Sequence, residues 1–422
     1  MKANSSTKYY LIIYAFWPVL AIIRAFIKRE YSFLKVFLPL FTGVLGYTYQ
    51  PQEGSDINMV IERFEVMRQL SFTSKLEYLI VTKFSNLLNV GFEIYIDLVA
   101  FTTSLFTENF RWTIFILGYV YGIILYNLFK RLVQSDLKFN LSLLSKILLF
   151  FIVLFIQPSM ALNGRFWLAT LLFLNFAVSY YNNPKLKYIL LSFLCVFIHK
   201  GFLAAFILFF IWYYVKQIKF KKYIFMSLLL ISLITPSSLM LGFVRQSNDS
   251  LGESYNKQIE GYTREEYIEN IAGRSQKRSV FFNTYSKRNI LIFYSSSFFL
   301  FFLYMKKHYR LSENLENMFY LVILFISFSN LFIDVPSLGV RYRFISTGLM
   351  LVFFYKVLNF VTISPYKLTS GALILSLAFA FVVNLRMEFE QLYGFSYILN
   401  PVFSYLVVED LTVMDIIQLW IS

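Results

Sequence analysis

Residues 201–215, with the sequence GFLAAFILFFIWYYV, contain no charged side chain. Apolar and polar residues do not alternate along this stretch, so it lacks the two-residue period of a strand in a lipid-facing β-barrel. Continuous apolar runs that approach about 20 residues are typical of helices that cross a bilayer. This stretch therefore predicts a membrane helix, and runs of the same kind recur along the chain.

The composition of the 422 residues agrees with this interpretation: 58% are apolar, 15% are charged, and the mean hydropathy is +0.60. A soluble domain is about half apolar and about a quarter charged. Aromatic residues account for 20% of the chain, which is more than a soluble core could hold without exposing a large apolar surface. The composition excludes a soluble enzyme and indicates an integral membrane protein.

Thirteen apolar runs are candidate membrane spans, and they make residues 1–422 a single membrane domain. They are 9–23, 33–49, 86–106, 111–129, 141–157, 166–182, 187–199, 201–215, 223–243, 289–305, 317–333, 343–361 and 369–385. We predict an all-α polytopic membrane protein with about twelve transmembrane helices, since one run does not fit the charge pattern of the loops. Re-entrant or interfacial helices and a long extracytoplasmic loop complete the predicted fold.

The basic residues predict the sidedness of the loops. The formal net charge is +15, and such an excess is usually retained on the cytoplasmic side of a membrane. Basic clusters at 24–35, 130–138, 185–187, 216–222 and 306–310 alternate with loops that lack them. This pattern places 50–75 and 244–288 outside the cytoplasm, although it also places Lys2 and Lys8 there.

Residues 86–106 are the run that we expect not to cross the membrane. Only one crossing fits between the outer loop 50–75 and the cytoplasmic cluster near Lys130, yet two apolar runs lie there. Glu93 and Asp97 stand four residues apart, on one face of a helix, and bare carboxylates are costly at mid-membrane. We therefore predict that residues 50–106 form an extracytoplasmic loop with interfacial helices.

The two outer loops carry further signals. Ser55 or Asp56 is a candidate N-cap for a helix whose apolar residues recur every three or four positions. These apolar positions are Ile57, Val60, Ile61, Phe64 and Met67. The second loop, 244–288, is polar and long enough to be a lid or a binding element.

Three arginines fall on the predicted outer side, where the retention of basic residues in the cytoplasm does not explain them. Arg165 begins a predicted span, and Arg341 and Arg343 are separated by one residue, Tyr342. In an extended segment the latter two would point the same way and could hold one phosphate or diphosphate through their planar guanidinium groups. The alternatives are that Arg165 snorkels to the interface and that an arginine pairs with Asp334.

Candidate proton acceptors lie on the same predicted side. His199 ends a short apolar run, Asp56 starts the first outer helix, and Glu93 follows that helix. Each has a simpler interpretation: His199 is an interfacial side chain, and Asp56 is a helix N-cap. In the same way, Glu93 and Asp97 are partners of Lys83 or Lys75. Together with the arginines, the candidate acceptors would supply cations for a diphosphate leaving group and a base for a hydroxyl.

The sequence shows no sign of a cofactor. His199 and His308 are its two histidines and Cys195 is its one cysteine, which leaves no His/Cys cluster for zinc. No glycine-rich phosphate loop or nucleotide-binding fold is evident. We therefore predict no cofactor and no metal, and no feature points to a nucleic acid as partner.

The order of these features resembles the EpsG-like branch of the O-antigen polymerase (Wzy) group of bacterial polysaccharide polymerases. The matching stretches are Gly54-Ser55-Asp56, Asn163-Gly164-Arg165, Ile198-His199-Lys200 and Arg341-Tyr342-Arg343. They cover most of the chain in their order and spacing, and each is two or three residues set in apolar sequence.

The resemblance implies a metal-independent glycosyltransferase of the bacterial inner (cytoplasmic) membrane that polymerises O-antigen or capsular repeat units. It would transfer an oligosaccharide from undecaprenyl diphosphate to another lipid-linked repeat unit at the extracytoplasmic face. A polysaccharide chain-length regulator would be a candidate partner. Arg165, Arg341 and Arg343 would bind the diphosphate, and His199, Asp56 or Glu93 would be the base. A flippase or transporter of the same lipid-linked sugars and an O-antigen ligase are the alternatives.

Overall fold

The computed structural model describes residues 5–49, 56–84, 93–134, 143–236, 239, 290–300, 311–333, 336–360, 367–391 and 418. Nearly all of them are helical, and the described part of the chain contains no strand. The helices are α1 (Ser5–Phe16), α2 (Pro18–Lys28), α3 (Tyr31–Tyr47), α4 (Asp56–Gln69), α5 (Phe72–Glu77, continued by a π-helix over Tyr78–Phe84), α6 (Tyr95–Ser104), α7 (Arg111–Gln134), α8 (Leu143–Val153), α9 (Pro158–Asn163), α10 (Arg165–Asn182), α11 (Leu186–Leu191), α12 (Leu194–Ile198), α13 (Phe202–Val215), α14 (Lys221–Ile234), α15 (Ile290–Leu300), α16 (Glu313–Leu331), α17 (Pro336–Phe360) and α18 (Lys367–Gln391). The predicted all-α fold is confirmed.

Three helical segments are long and apolar enough to cross a membrane: Arg111–Gln134, Leu144–Asn163 and Glu313–Leu331. The last of them starts where local chemistry favours a helix N-terminus, because the Ser312 hydroxyl accepts the backbone N–H of Leu315 at 3.4 Å. Shorter apolar helices occur at Tyr31–Tyr47, Leu186–Ile198, Phe202–Val215, Ile290–Leu300 and Gly371–Arg386. The described helices therefore indicate a membrane protein.

The first apolar run, 9–23, is two helices rather than one. Pro18 occupies the first turn of α2, a position that tolerates its missing N–H. The guanidinium of Arg24 lies 5.2 Å from the centre of the Tyr9 ring, whereas one continuous helix would separate these residues by about 22 Å. The chain therefore reverses at Trp17, and the prediction of a single span over 9–23 is wrong. The reversal places Lys8 and Arg24 at the same end, which removes the difficulty that the sequence pattern had with Lys8.

The long helices define two ends of a bundle. The carbonyl of Arg131, near the end of α7, accepts a hydrogen bond of 2.7 Å from Asn182, the last residue of α10. The ammonium of Lys356, near the end of α17, donates to the carbonyl of Leu132 at 2.9 Å. Because the C-terminal parts of α7, α10 and α17 meet, these helices are parallel. We call this the Arg131 end, and the opposite one, where α10 begins, the Arg165 end.

Helix α6 lies across the Arg165 end. It has ten residues, about 15 Å, which is half of what a bilayer core requires. Glu93, just before α6, contacts Arg165 at the start of α10, and the Thr103 hydroxyl is 2.8 Å from that of Thr113 in the first turn of α7. Both ends of α6 are thus at the same end of the bundle, and the non-crossing of the whole run 86–106 stays a prediction. Residues 85–92 lie outside the described part of the chain.

Helix α4 confirms the periodicity predicted for residues 56–67, in the first of the two predicted outer loops. Ile57, Val60, Phe64 and Met67 are buried, and Ile61 is half-buried. Since the helix begins at Asp56, its N-cap position falls on residue 55, which is outside the described residues. The second predicted outer loop, 244–288, is also outside them.

Glycines bring α3 and α7 into close contact. A Cβ atom on Gly118 would overlap the carbonyl oxygen of Thr42, and a Cβ atom on Gly46 would overlap the carbonyl oxygen of Ile114. The two backbones can approach only because these positions carry no side chain.

Gly118→Ala is expected to lower the free energy of unfolding by about 1–3 kcal/mol, because the added methyl group must push the α3 backbone away. Gly371→Ala is the matched control, since a Cβ atom there meets nothing within 4 Å. The melting temperatures of the two purified variants in detergent check this. Equal melting temperatures would contradict the close packing of α3 on α7.

Candidate functional site

Several helix ends meet at the Arg165 end of the bundle. Arg165 is the first residue of α10, and His199 directly follows α12. Glu93 lies two residues before α6, and Arg341 lies in the second turn of α17. Four of the six site residues predicted from the sequence, although far apart in the chain, therefore lie together at the Arg165 end.

Glu93 joins three of these segments. Its Oε2 forms an ion pair of 2.5 Å with the guanidinium of Arg165, and each of the two side chains is 19% exposed. Its Oε1 accepts the backbone N–H of Lys200 at 3.0 Å. Two groups thus hold the carboxylate, one at each oxygen.

The alternative pairing of Glu93 and Asp97 with lysines is wrong for Lys75, whose ammonium donates to the carbonyl of Ser104 at 3.0 Å. The side chain of Lys83, the other candidate, lies outside the described residues. Asp97 lies 3.7 Å from the guanidinium of Arg63. Glu93 precedes α6 and is not part of it, so the prediction that Glu93 and Asp97 share a helix face is also wrong. The two carboxylates have separate partners.

His199 is buried, with 6% of its surface exposed, and its ring stands edge-on to the Phe166 ring at 5.6 Å. Its Nδ1 accepts the backbone N–H of Gly201 at 3.0 Å. Burial lowers the pKa of His199, and the positive charges of Arg341, Arg165 and Lys200 lower it further. A neutral imidazole that accepts at Nδ1 carries its proton on Nε2. His199 is therefore arranged to donate a hydrogen bond through Nε2.

Arg341 approaches the same aromatic side chain. Its guanidinium carbon lies 5.5 Å from the centre of the Phe166 ring, within the range of a cation–π contact. The neighbouring Tyr342 hydroxyl donates to the carbonyl of Gly201 at 2.9 Å, which ties α17 to the turn after His199. Arg341 is thus held beside His199.

Arg343 does not share the position of Arg341. Both lie in α17, where residues two apart point about 200° away from each other. The prediction of an extended segment in which the two arginines hold one phosphate is therefore wrong. Arg343 is nearly buried. The alternative partner of the arginines, Asp334, lies outside the described residues.

A small cleft, partly open to solvent, lies at the Arg165 end of the bundle. Asp56 and Val60 of α4, Tyr95 of α6 and Arg165 of α10 are among its lining residues. Asp56 itself is exposed at the start of α4, so the fifth predicted residue also belongs to this end of the bundle.

No protein-family model, curated protein or solved structure matches the chain. Among the described residues, no group of three or more His, Cys, Asp or Glu side chains could hold a metal ion.

Glu388, a buried carboxylate on α18, was not among the residues predicted from the sequence. Glu388 accepts the backbone N–H of Ser159 at 3.1 Å and also accepts from the Ser159 hydroxyl. Nearby, the Tyr121 hydroxyl donates to the carbonyl of Ile156 at 2.6 Å. These hydrogen bonds pair backbone groups at the break between α8 and α9, shortly before Arg165. Its position three residues after the apolar run 369–385 is the feature of the sequence that could have indicated Glu388.

Glu388→Ala is expected to lower the free energy of unfolding by about 1–3 kcal/mol, because a buried N–H and a buried hydroxyl lose their acceptor. Glu388→Gln should lose less, since its amide oxygen can still accept. The control is Glu65→Ala, which removes an exposed ion pair with Arg68 and should cost little. Thermal unfolding of the three variants checks this, and a Glu388→Ala protein as stable as Glu65→Ala would contradict the role of Glu388.

Proposed function

We propose that the chain polymerises oligosaccharide repeat units linked to undecaprenyl diphosphate into O-antigen or capsular polysaccharide. The observation that carries this proposal is the meeting of Arg165, Arg341 and His199 around Phe166, with Glu93 beside them. Such a group offers two guanidinium cations and an imidazole N–H donor to one anion. A diphosphate that leaves a sugar is an anion of this kind.

The sidedness of the charges supports an extracytoplasmic site. The Arg131 end carries Lys216 and Lys221, which belong to the basic loop 216–222, and basic loops are usually cytoplasmic. The Arg165 end would then face outward in a bacterial inner membrane. Because 9–23 turns back on itself, we propose one span fewer than the twelve predicted from the sequence.

The proposed reaction forms one glycosidic bond. The hydroxyl of the acceptor sugar attacks the anomeric carbon of the donor, and the bond from that carbon to the diphosphate oxygen breaks. The bonding electrons leave with the diphosphate, whose growing negative charge Arg165 and Arg341 stabilise. His199 donates a hydrogen bond to the same anion, and a carboxylate accepts the proton of the attacking hydroxyl.

Deletion of the gene tests the proposal in cells. We expect lipopolysaccharide on a gel to show core lipid with a single repeat unit in place of a ladder, and plasmid-borne wild-type protein to restore the ladder. Complete loss of surface glycan would contradict a polymerase, because it is the result expected for a flippase or a ligase.

A further inference from the structure

Glu93 holds the guanidinium that the proposed function requires for the diphosphate. Arg165 uses one of its N–H groups on Glu93 Oε2, and a guanidinium in so enclosed a place needs a counter-anion. A bound diphosphate would bring more negative charge to the same planar fork. The Glu93 carboxylate therefore pairs with Arg165 at the position where the diphosphate would bind.

The second contact of Glu93 does not depend on Arg165. Oε1 accepts the backbone N–H of Lys200 at 3.0 Å, and the backbone of Ile94 donates to the carbonyl of Phe197 at 3.1 Å. These two hydrogen bonds keep the Glu93 segment next to the turn that holds His199. When Arg165 turns to another anion, Glu93 stays in the site with Oε2 released.

The other predicted bases are less suited to accept a proton. His199 already uses Nδ1 to accept the N–H of Gly201, and three nearby cations oppose a second proton on the ring. Asp56 is exposed in the first turn of α4, where water surrounds its carboxylate. Glu93 is the carboxylate that ligand binding at Arg165 would set free.

We infer that the donor diphosphate displaces Glu93 from Arg165, and that the released Oε2 is the base for the acceptor hydroxyl. This inference rests on the proposed function. In the transfer step the acceptor oxygen bonds to the anomeric carbon, the bond to the diphosphate breaks, and the hydroxyl proton goes to Glu93. After the diphosphate lipid departs, Glu93 gives the proton to water and pairs again with Arg165. When no donor is bound, Glu93 stays paired with Arg165 and does not deprotonate the acceptor hydroxyl.

Glu93→Gln separates the two parts of the inference. Binding of undecaprenyl diphosphate to the purified variant should be on the order of tenfold tighter than to the wild type, because a competing negative charge is gone. Polymerisation at saturating donor should fall on the order of 100-fold, because an amide accepts no proton. Glu65→Gln is the matched control, since that side chain is exposed and pairs with Arg68, and it should change neither quantity.

Two other results with Glu93→Gln would contradict either the displacement of Glu93 or its role as the base. Unchanged or weaker binding by Glu93→Gln, at a wild-type melting temperature, would overturn the displacement. Tighter binding with normal polymerisation would overturn the assignment of Glu93 as base. Failure of the proposed function gives a different result, in which wild-type protein binds undecaprenyl diphosphate no better than Arg165→Ala does.

Discussion

Arg165→Lys is expected to lose polymerising activity by on the order of tenfold or more, although the protein reaches the membrane at the wild-type level. A lysine at position 165 can still form an ion pair with Glu93, so the start of α10 should stay next to the start of α6. An ammonium is a point charge, however, and lacks the planar fork that binds two oxygens of a diphosphate. Arg341→Lys should behave in the same way. Glycan ladders from a complemented deletion strain measure the loss, and membrane immunoblots measure the protein level.

Arg68→Lys is the matched control, because Arg68 is exposed and pairs with Glu65 at 2.7 Å. It should give a full ladder. If Arg165→Lys and Arg341→Lys also give full ladders at normal levels, the arginines serve only to orient the helices or to reach the interface.

His199→Ala is expected to lower the polymerisation rate on the order of 100-fold, the scale of losing one donor to a developing anion. His199→Gln should retain a measurable part of the lost rate, because its amide N–H can replace the donor at Nε2. A base would behave differently, since neither alanine nor glutamine can accept the proton. Rates measured with purified protein and lipid-linked repeat units separate the two roles.

The melting temperatures of both His199 variants provide the control for folding. If His199→Gln melts like the wild type and is as inactive as His199→Ala, the imidazole is needed as a proton acceptor. That result would also contradict the role that we infer for Glu93.

Much of the helical architecture could be predicted from the sequence. The apolar run over 201–215 contains helix α13, and the three- and four-residue spacing in 56–69 predicted the buried face of α4. The charges at Glu93 and Asp97 favoured a run that does not cross, and α6 has ten residues, too few for a membrane span. These signals are local, because they depend on residues within one or two turns of each other.

The errors arose where distant contacts decide the structure. The turn at Trp17 lies inside an apolar run, so hydropathy alone does not show that Arg24 returns to Tyr9. The pairing of Glu93 with Arg165 joins residues 72 positions apart, and Glu388 reaches Ser159 across 229 positions. The helical setting of Arg341 and Arg343 does have a local signal, since Pro336 can occupy the first turn of a helix.

Reconstitution of the purified protein with undecaprenyl-diphosphate-linked repeat units as the only glycan tests the proposed polymerase most directly. We expect a ladder of longer lipid-linked glycans, release of one undecaprenyl diphosphate for each bond formed, and neither product with Arg165→Ala. Movement of the lipid-linked sugar between leaflets without any longer glycan would contradict the polymerase and identify a transporter.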